Sequence, residues 1–324
     1  VDGTKVQANA SKHAAVSYQR AGELIAQLEL EVQELVARAE AADTCQAKEP
    51  LDIPAELQRR EQRVESLKQA RQVIEARARE MAAAQADEHQ AKVAVRAAQR
   101  DAGQRPRGPE PKAPSEVPAP KAQYNFTDPE SRIMKAGNGS HFEQAYNAQA
   151  AVDEAMLIVG QRVSAAPNDK EELAASVAAI SPVVAGDVQA VLADSGFYST
   201  AAVQAVEQKS DGTPSGVSVY AAVEQQTHHK TVAQLLPQPE PAPLREHATP
   251  KERMAHRMKT SAGRTLYKLR KQTVEPVFGI IKEIMGFRRF RLRGWEKASL
   301  EWTLVCVSYN LKRLFRLKTL AVAR

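Results

Sequence analysis

Apolar positions change period several times along this chain. Residues 1–10 (VDGTKVQANA) read as a short strand. From about 14 to 42, Leu24, Leu28, Val32, Leu35 and Ala39 recur at helical spacing with Glu and Gln between them. The stretch Asp43 to Asp52 breaks that pattern, and Pro54 suits the first turn of a new helix, where its missing N–H costs nothing. The second helix is expected over about 54–101, on a narrow seam of Leu57, Val64, Leu67, Ile74, Ala78 and Met81. Two long helices joined by a short loop predict an antiparallel hairpin, and the interleaved charges suit a solvated coiled coil. Residues 11–102 therefore read as a helical hairpin inserted after the first strand. Six prolines within 103–120 make 103–123 an extended linker.

Beyond the linker the period shortens. Tyr146, Ala148, Ala150 and Val152 alternate with other residues, Asp153-Glu154 makes a turn, and Met156 to Val163 is a second β-rich run, so an antiparallel hairpin is expected. Asn168 with Glu171 reads as a capping box opening a helix with Leu173, Val177 and Ile180 on one face. Gln189 to Ala193 is a short apolar strand ending at Asp194, Ser199 caps a helix carrying Val203 and Val206, and Val217 to Val223 is another strand. Residues 224–250 read as a polar, Pro-rich loop, and helices run from about 250 nearly to the end. The order predicts an α/β chain, in the α+β sense of a mixed sheet flanked by helices. Its core is residues 1–10 together with 124–324.

Charge changes this picture. Lys251 to Arg324 hold 19 Lys or Arg against 5 Asp or Glu, a balance of +14, while the preceding residues balance at −8. Such asymmetry points to a polyanion-binding end. Cys45 and Cys306 lie far apart without metal-ligand spacing, which fits structural thiols in a reducing compartment. With no apolar run of about 18 residues, the expectation is a cytoplasmic protein that binds no membrane. His228-His229 read as solvated, Gly137-Asn138-Gly139 as a turn, and Asp128 with Arg132 as a structural turn.

Asp2 and Asp194 border β-type segments, and Glu275 sits in a basic, helix-prone stretch. Three carboxylates brought together can hold two Mg²⁺ ions about 3.5–4 Å apart, with Mn²⁺ as a substitute. Arg288, Arg289, Arg291 and Arg293 interleave with Phe287, Phe290 and Leu292, as a DNA-binding strip or as the solvated face of a helix end.

These segments resemble bacterial insertion-sequence DDE transposases, in the broad family whose third acidic residue lies in a Tyr-Arg-Glu-Lys signature. The resemblance rests on Asp2-Gly3-Thr4-Lys5-Val6-Gln7-Ala8-Asn9-Ala10, Thr127 to Arg132, Gly139 to Asp153, Ala193-Asp194-Ser195-Gly196-Phe197-Tyr198, Tyr267 to Gly294, and Tyr309 to Arg313. It implies an RNase H-like core with Asp2, Asp194 and Glu275 as metal-binding triad. Tyr267, Arg270 and Lys282 would correspond to the other signature residues, which handle DNA phosphates. Lys282 has the expected spacing from Glu275, whereas Tyr267 and Arg270 lie one residue further upstream than usual, which lets Lys271 share the phosphate contact. The implied reaction is hydrolysis at each transposon end followed by attack of the freed 3′-hydroxyl on target DNA, by a homodimer on paired ends. Because Asp2 lies so near the start, an N-terminally truncated enzyme is expected, inactive or poorly active as it stands. Two alternatives stay open: a general RNase H-like nuclease, and a remnant that only binds DNA.

Overall fold

A computed structural model describes residues 1–45, 51–103, 105–106, 108–136, 139, 141–223 and 239–322. His228, His229, Gly137 and Asn138 lie outside the described residues. The chain forms two compact units, Ser11–Pro129 and Val1–Ala10 with Glu130–Arg324.

The unit Ser11–Pro129 is a helical hairpin on a small ribbon. Helix α1 (Tyr18–Cys45) pairs with α2 (Ile53–Asp101), and β2 (Ala15–Ser17) pairs antiparallel with β3 (Gln123–Asn125). The first strand of the chain, β1, is Asp2–Gln7 and belongs to the other unit. Val16, Ala21, Ile25, Val64, Leu67 and Ala70 form the hairpin's core, with Tyr124 and Phe126 against it. Arg60–Glu31 and Lys68–Glu29, each 2.8 Å apart, fix the antiparallel register. Asp52 caps α2 by accepting the Ala55 N–H, and Pro54 occupies its first turn. One seam residue differs from expectation. Met81 is exposed and Ala82 is buried, because a straight helix drifts round relative to a heptad seam. The Pro-rich stretch turns back along the end of α2, where the Gly108 carbonyl accepts from Arg96 and the Pro111 carbonyl lies 3.3 Å from His89 Nε2.

In the other unit the sheet is built on β5 (Phe142–Val152). It pairs antiparallel with β1 on one edge, and with β4 (Arg132–Lys135) and β6 (Ile158–Ser164) on the other. Strands β7 (Ala190–Ala193) and β8 (Ser218–Ala221) pair parallel. The Val1 nitrogen donates to the Leu192 carbonyl at 2.7 Å and joins β1 to β7. The result is a mixed α/β arrangement with antiparallel pairing on one side of β1 and parallel pairing beyond β7.

Helices α3 (Glu172–Ala178), α4 (Pro182–Ala185), α5 (Thr200–Glu207), α6 (Pro250–Lys259), α7 (Ser261–Gly279) and α8 (Trp295–Val322) surround these strands. Ser199 caps α5 as its sequence predicts, and Thr249 with Glu252 forms a capping box for α6. The box expected at Asn168 does not form. Asn168 Oδ1 instead accepts from the Lys170 nitrogen at 3.4 Å, and Glu171 itself stands at the N-cap of α3 without a side-chain cap bond.

The C-terminal helices are not continuous either. α7 runs into a π turn at Ile280–Ile284, and Gly286, with φ 70°, ends it in the left-handed region that favours glycine. Residues 287–293 then form neither helix nor strand, apart from an isolated bridge of Arg289 to Gln7. The arginine strip is therefore not a helix end: Gln7 exchanges hydrogen bonds with the backbone of Arg288 and Phe290.

One face of the sheet packs Val6, Tyr146, Ala148 and Ala150 against Val274, Val277, Phe278 and Ile281 of α7 and its π turn, and against Trp302 of α8. Asn310 of α8 bonds both the N–H and the carbonyl of Ile158, each at 2.8 Å, which latches α8 onto the outer strand β6. Cys306 is buried on the same face, and burial pushes its thiol up to about 12.

Candidate active site

Asp2 opens β1 in register with Ala150 of β5, and Asp194 directly follows β7. Because the Val1 nitrogen bonds Leu192, two residues before Asp194, these strand ends lie side by side. Each aspartate is oriented by a local hydrogen bond. Asp2 Oδ1 accepts the Gly3 N–H at 2.8 Å, and Asp194 Oδ1 accepts the Gly196 N–H at 2.7 Å. A side chain at Gly196 would crowd Asp194 Oδ1 at 3.0 Å, so glycine suits that turn.

Helix α7 lies over β1, β5 and β7 and brings in the rest. Arg270 Nη1 is 3.2 Å from Asp2 Oδ2 and 3.1 Å from Glu275 Oε1. The two carboxylate oxygens are thus no farther apart than the sum of those distances. Arg270 and Asp2 are largely buried, whereas Glu275 is half-exposed. Tyr267, one turn before Arg270, hydrogen-bonds it and sits close enough to feel the charges of Asp194 and Asp2.

The electrostatics follow from this crowding. Burial pushes the Asp2 carboxyl up to about 6; Arg270 and the Gly3 N–H oppose that rise and the Asp194 charge adds to it. Burial also raises the Tyr267 phenol, against the pull of Arg270. Burial alone would disfavour the Arg270 charge, but Asp2, Tyr267 and Glu275 together hold it in place.

The other candidate cations are spread out. Lys282 Nζ donates to the Lys5 carbonyl at 3.2 Å, in the middle of β1, and burial lowers its pKa with Arg288 adding to the effect. Lys271 is exposed on α7. The four arginines are exposed beyond the far end of β1. Arg289 donates to Asn9 Oδ1 at 3.2 Å, Arg293 to the Asn9 carbonyl at 3.1 Å, and Arg288 pairs with Glu283.

A polar cluster on the opposite face of the sheet was not anticipated from sequence. Asp169 Oδ1 accepts from Asn147 Nδ2 at 2.6 Å and Gln149 Nε2 at 2.7 Å, and Lys5 Nζ lies 3.5 Å from it. Asn147 and Gln149 are fully buried. Burial lowers the Lys5 pKa, and Asp169, Asp194 and Asp2 all oppose the fall. Glycine suits position 3, since a Cβ there would come within 2.5 Å of Gln149 Nε2 and 2.8 Å of Asp169 Oδ1 and would force those side chains to shift. The available signal was the pair of amides in β5, at the positions between Tyr146, Ala148 and Ala150.

Among the described residues, no three His, Cys, Asp or Glu side chains stand close enough together to hold a metal ion. At this site the Arg270 guanidinium contacts two of the carboxylates. The donor set nevertheless fits a hard divalent cation. Its ligands are all carboxylate oxygens, and one cationic nitrogen already contacts two of them.

Residues 236–315 match a family described as "Transposase DDE domain". The matched span contains Tyr267, Arg270, Glu275, Lys282 and the arginine strip, but not Asp2 or Asp194. The match supports a DDE-type transposase, and with it DNA as substrate. No curated protein and no solved structure matches the chain. No helix among the described residues is long and apolar enough to cross a membrane.

Proposed function

We propose that this chain is the catalytic part of a metal-dependent DDE transposase, with Asp2, Asp194 and Glu275 as its carboxylate triad. The observation that carries this reading is the shared contact of Arg270 with Asp2 and Glu275, beside Asp194. Asp2 and Glu275 are joined through one guanidinium, and Asp194 follows the strand end beside Asp2. The strand arrangement supports an RNase H-like core, with residues 11–129 inserted between its first strand and the remainder.

Two Mg²⁺ ions held by these oxygens would activate a water or a 3′-hydroxyl and stabilise the oxygen that leaves phosphorus. The chain's own groups do the rest. Arg270 and Tyr267 stand ready to bind phosphate oxygens once Arg270 leaves the carboxylates. Lys282 and Lys5 offset the negative charge along β1. The arginine strip lies past the other end of β1, about 17 Å from Asp2 for a six-residue strand. At about 3.4 Å per nucleotide of one strand, it would grip DNA roughly five nucleotides from the bond being cut. Such contacts fix register without reading sequence. On this reading two copies act together on a pair of transposon ends.

The test combines Mn²⁺ titration with nicking of supercoiled DNA. Wild type should bind Mn²⁺ and nick, at a low rate if the sequence expectation of a poorly active chain holds, and Asp194→Asn and Glu275→Gln should lose both while still retaining DNA in a filter assay. Nicking at the wild-type rate by either variant rejects the triad. A wild type that binds DNA but no Mn²⁺ would leave the DNA-binding remnant as the better reading.

A further inference from the structure

Helix α8 has two apolar faces, and among the described residues only one is covered. Ala298, Trp302, Cys306 and Tyr309 are buried in the core. On the opposite side Leu300, Leu304, Val307, Leu311, Leu314 and Phe315 are between 49% and 75% exposed. The first five recur at intervals of four, three, four and three residues. That is the a/d heptad spacing of a coiled-coil seam, and it places Trp302 and Tyr309 at the f positions, facing away from the seam. A surface helix needs one apolar stripe to join its domain. Among the described residues nothing covers the second stripe, and its lower part is a shallow apolar hollow lined by Leu311, Phe315 and the stems of Lys312 and Arg316.

We propose that this face is a self-association surface, on which α8 of a second copy of the chain packs antiparallel. Three observations select that occupant. The first is the spacing itself: heptad knobs fit the holes of another heptad helix, so the surface is complementary to itself. The second is size. At roughly 100 Å² of exposed side chain each, six residues bury about 600 Å² per helix and about 1,200 Å² per pair, the lower limit of a specific interface. A single monomer patch of this size is already at the top of what soluble proteins leave uncovered. The third is charge. Exposed Lys312, Arg316 and Lys318 cluster near the end of the helix, whereas at its start the exposed Glu296 and Lys297 offset each other. Parallel pairing would set cations against cations, whereas antiparallel pairing sets the basic end alongside a neutral one. The seam from Leu300 to Phe315 spans about 22 Å, four turns of helix.

This surface lies on the outside of α8 and involves none of the carboxylates, so the inference stands whether or not the chain acts on DNA. It is tested on the full chain, freed of nucleic acid, by sedimentation equilibrium and by thermal unfolding at several protein concentrations. A dimer should be present at tens of micromolar, with a Tm that rises with concentration. Leu304→Glu with Leu311→Glu should give a monomer with the same far-UV circular dichroism, because exposed positions carry little of the fold's own stability. Leu304→Ile with Leu311→Ile should remain dimeric. A monomeric wild type with a concentration-independent Tm overturns the proposal. A dimer that persists in the glutamate variant also overturns it, since some other surface must then hold the pair.

Discussion

Arg270 holds two carboxylates with one nitrogen, and that predicts how the site responds to added cations. Replacing it by Gln leaves Asp2, Asp194 and Glu275 to repel one another. Loss of a buried pair costs about 3–5 kcal/mol, and half-exposed Glu275 lowers that to about 2. Arg270→Gln should therefore melt earlier without metal, yet bind Mn²⁺ more tightly than wild type and gain more in Tm from it. Weaker Mn²⁺ binding in the variant would mean that Arg270 helps to hold the ion instead of standing in its place. The raised Asp2 pKa adds a pH signature. Between the ordinary carboxylate range and about 6 the folded protein carries a proton that the unfolded chain has lost, so this group's contribution to stability falls as pH rises through that window. Metal binding must displace the same proton. Calorimetry in buffers of different ionisation enthalpy should show proton release on Mn²⁺ binding at about pH 5.5 that fades above about pH 7, one pH unit past the raised pKa. Asp2, Asp194 and Glu275 were legible in the sequence as candidates because each lies next to a recognisable strand end or in a basic helical run. Lys5 and Asp169 were not. Their partnership depends on Asn147 and Gln149 turning inward across a sheet, and register of that kind is not written in any one segment.

At the scale of elements, strand β5 and the paired helices α1 and α2 follow from period, because apolar residues alternate along β5, whose intervening amides are buried as well, and recur about every three and a half residues along the helices. Terminal details followed sequence where the capping residue had no competing partner, as at Ser199. They failed at Asn168, where the neighbouring Asp169 is drawn to two buried amides and the helix begins only at Glu172. The break between α7 and α8 was missed for a related reason. Gly286 looks like a tolerable interior residue until the π turn and the pairing of Gln7 with Arg288 and Phe290 make it a stop. That stop takes the four arginines off a helical face and into an irregular strip beside the end of β1. Replacing Arg288, Arg289, Arg291 and Arg293 by Ala should make the log–log salt dependence of duplex binding shallower, by about 0.9 for each phosphate no longer neutralised. Arg289 and Arg293 also hold Asn9, so a rise in hydrogen exchange at residues 7–9 should accompany the change. A salt slope equal to wild type would remove the strip from the DNA surface.

The whole molecule raises the question of why a hairpin unit spanning Ser11–Pro129 interrupts a sheet. Its two ends of attachment belong to the same neighbourhood. Asn9 bonds Arg293, and Glu130 accepts the N–H of Trp295 at 2.8 Å, so the chain leaves and re-enters the sheet unit beside one short segment. The hairpin unit has its own core and its own ion pairs, with Val16, Ile25, Val64 and Leu67 buried among themselves and with Tyr124 and Phe126. Lengthening a connection costs only about 0.6 kcal/mol for each doubling, so an insertion at this point is thermodynamically mild. The reverse change should be equally mild. A chain in which Ser11 to Pro129 are replaced by a short Gly/Ser link from Ala10 to Glu130 should still fold and keep its Mn²⁺ response, because no residue of the candidate site lies in the removed part. The isolated segment 11–129 should fold separately as a helical protein with a cooperative melt. If the shortened chain loses its cooperative transition, the hairpin is part of the sheet unit's folding and not an addition to it. If it folds and keeps its metal response but no longer nicks DNA, then residues 11–129 act on the substrate or on its partner copy, and the insertion is functional rather than ornamental.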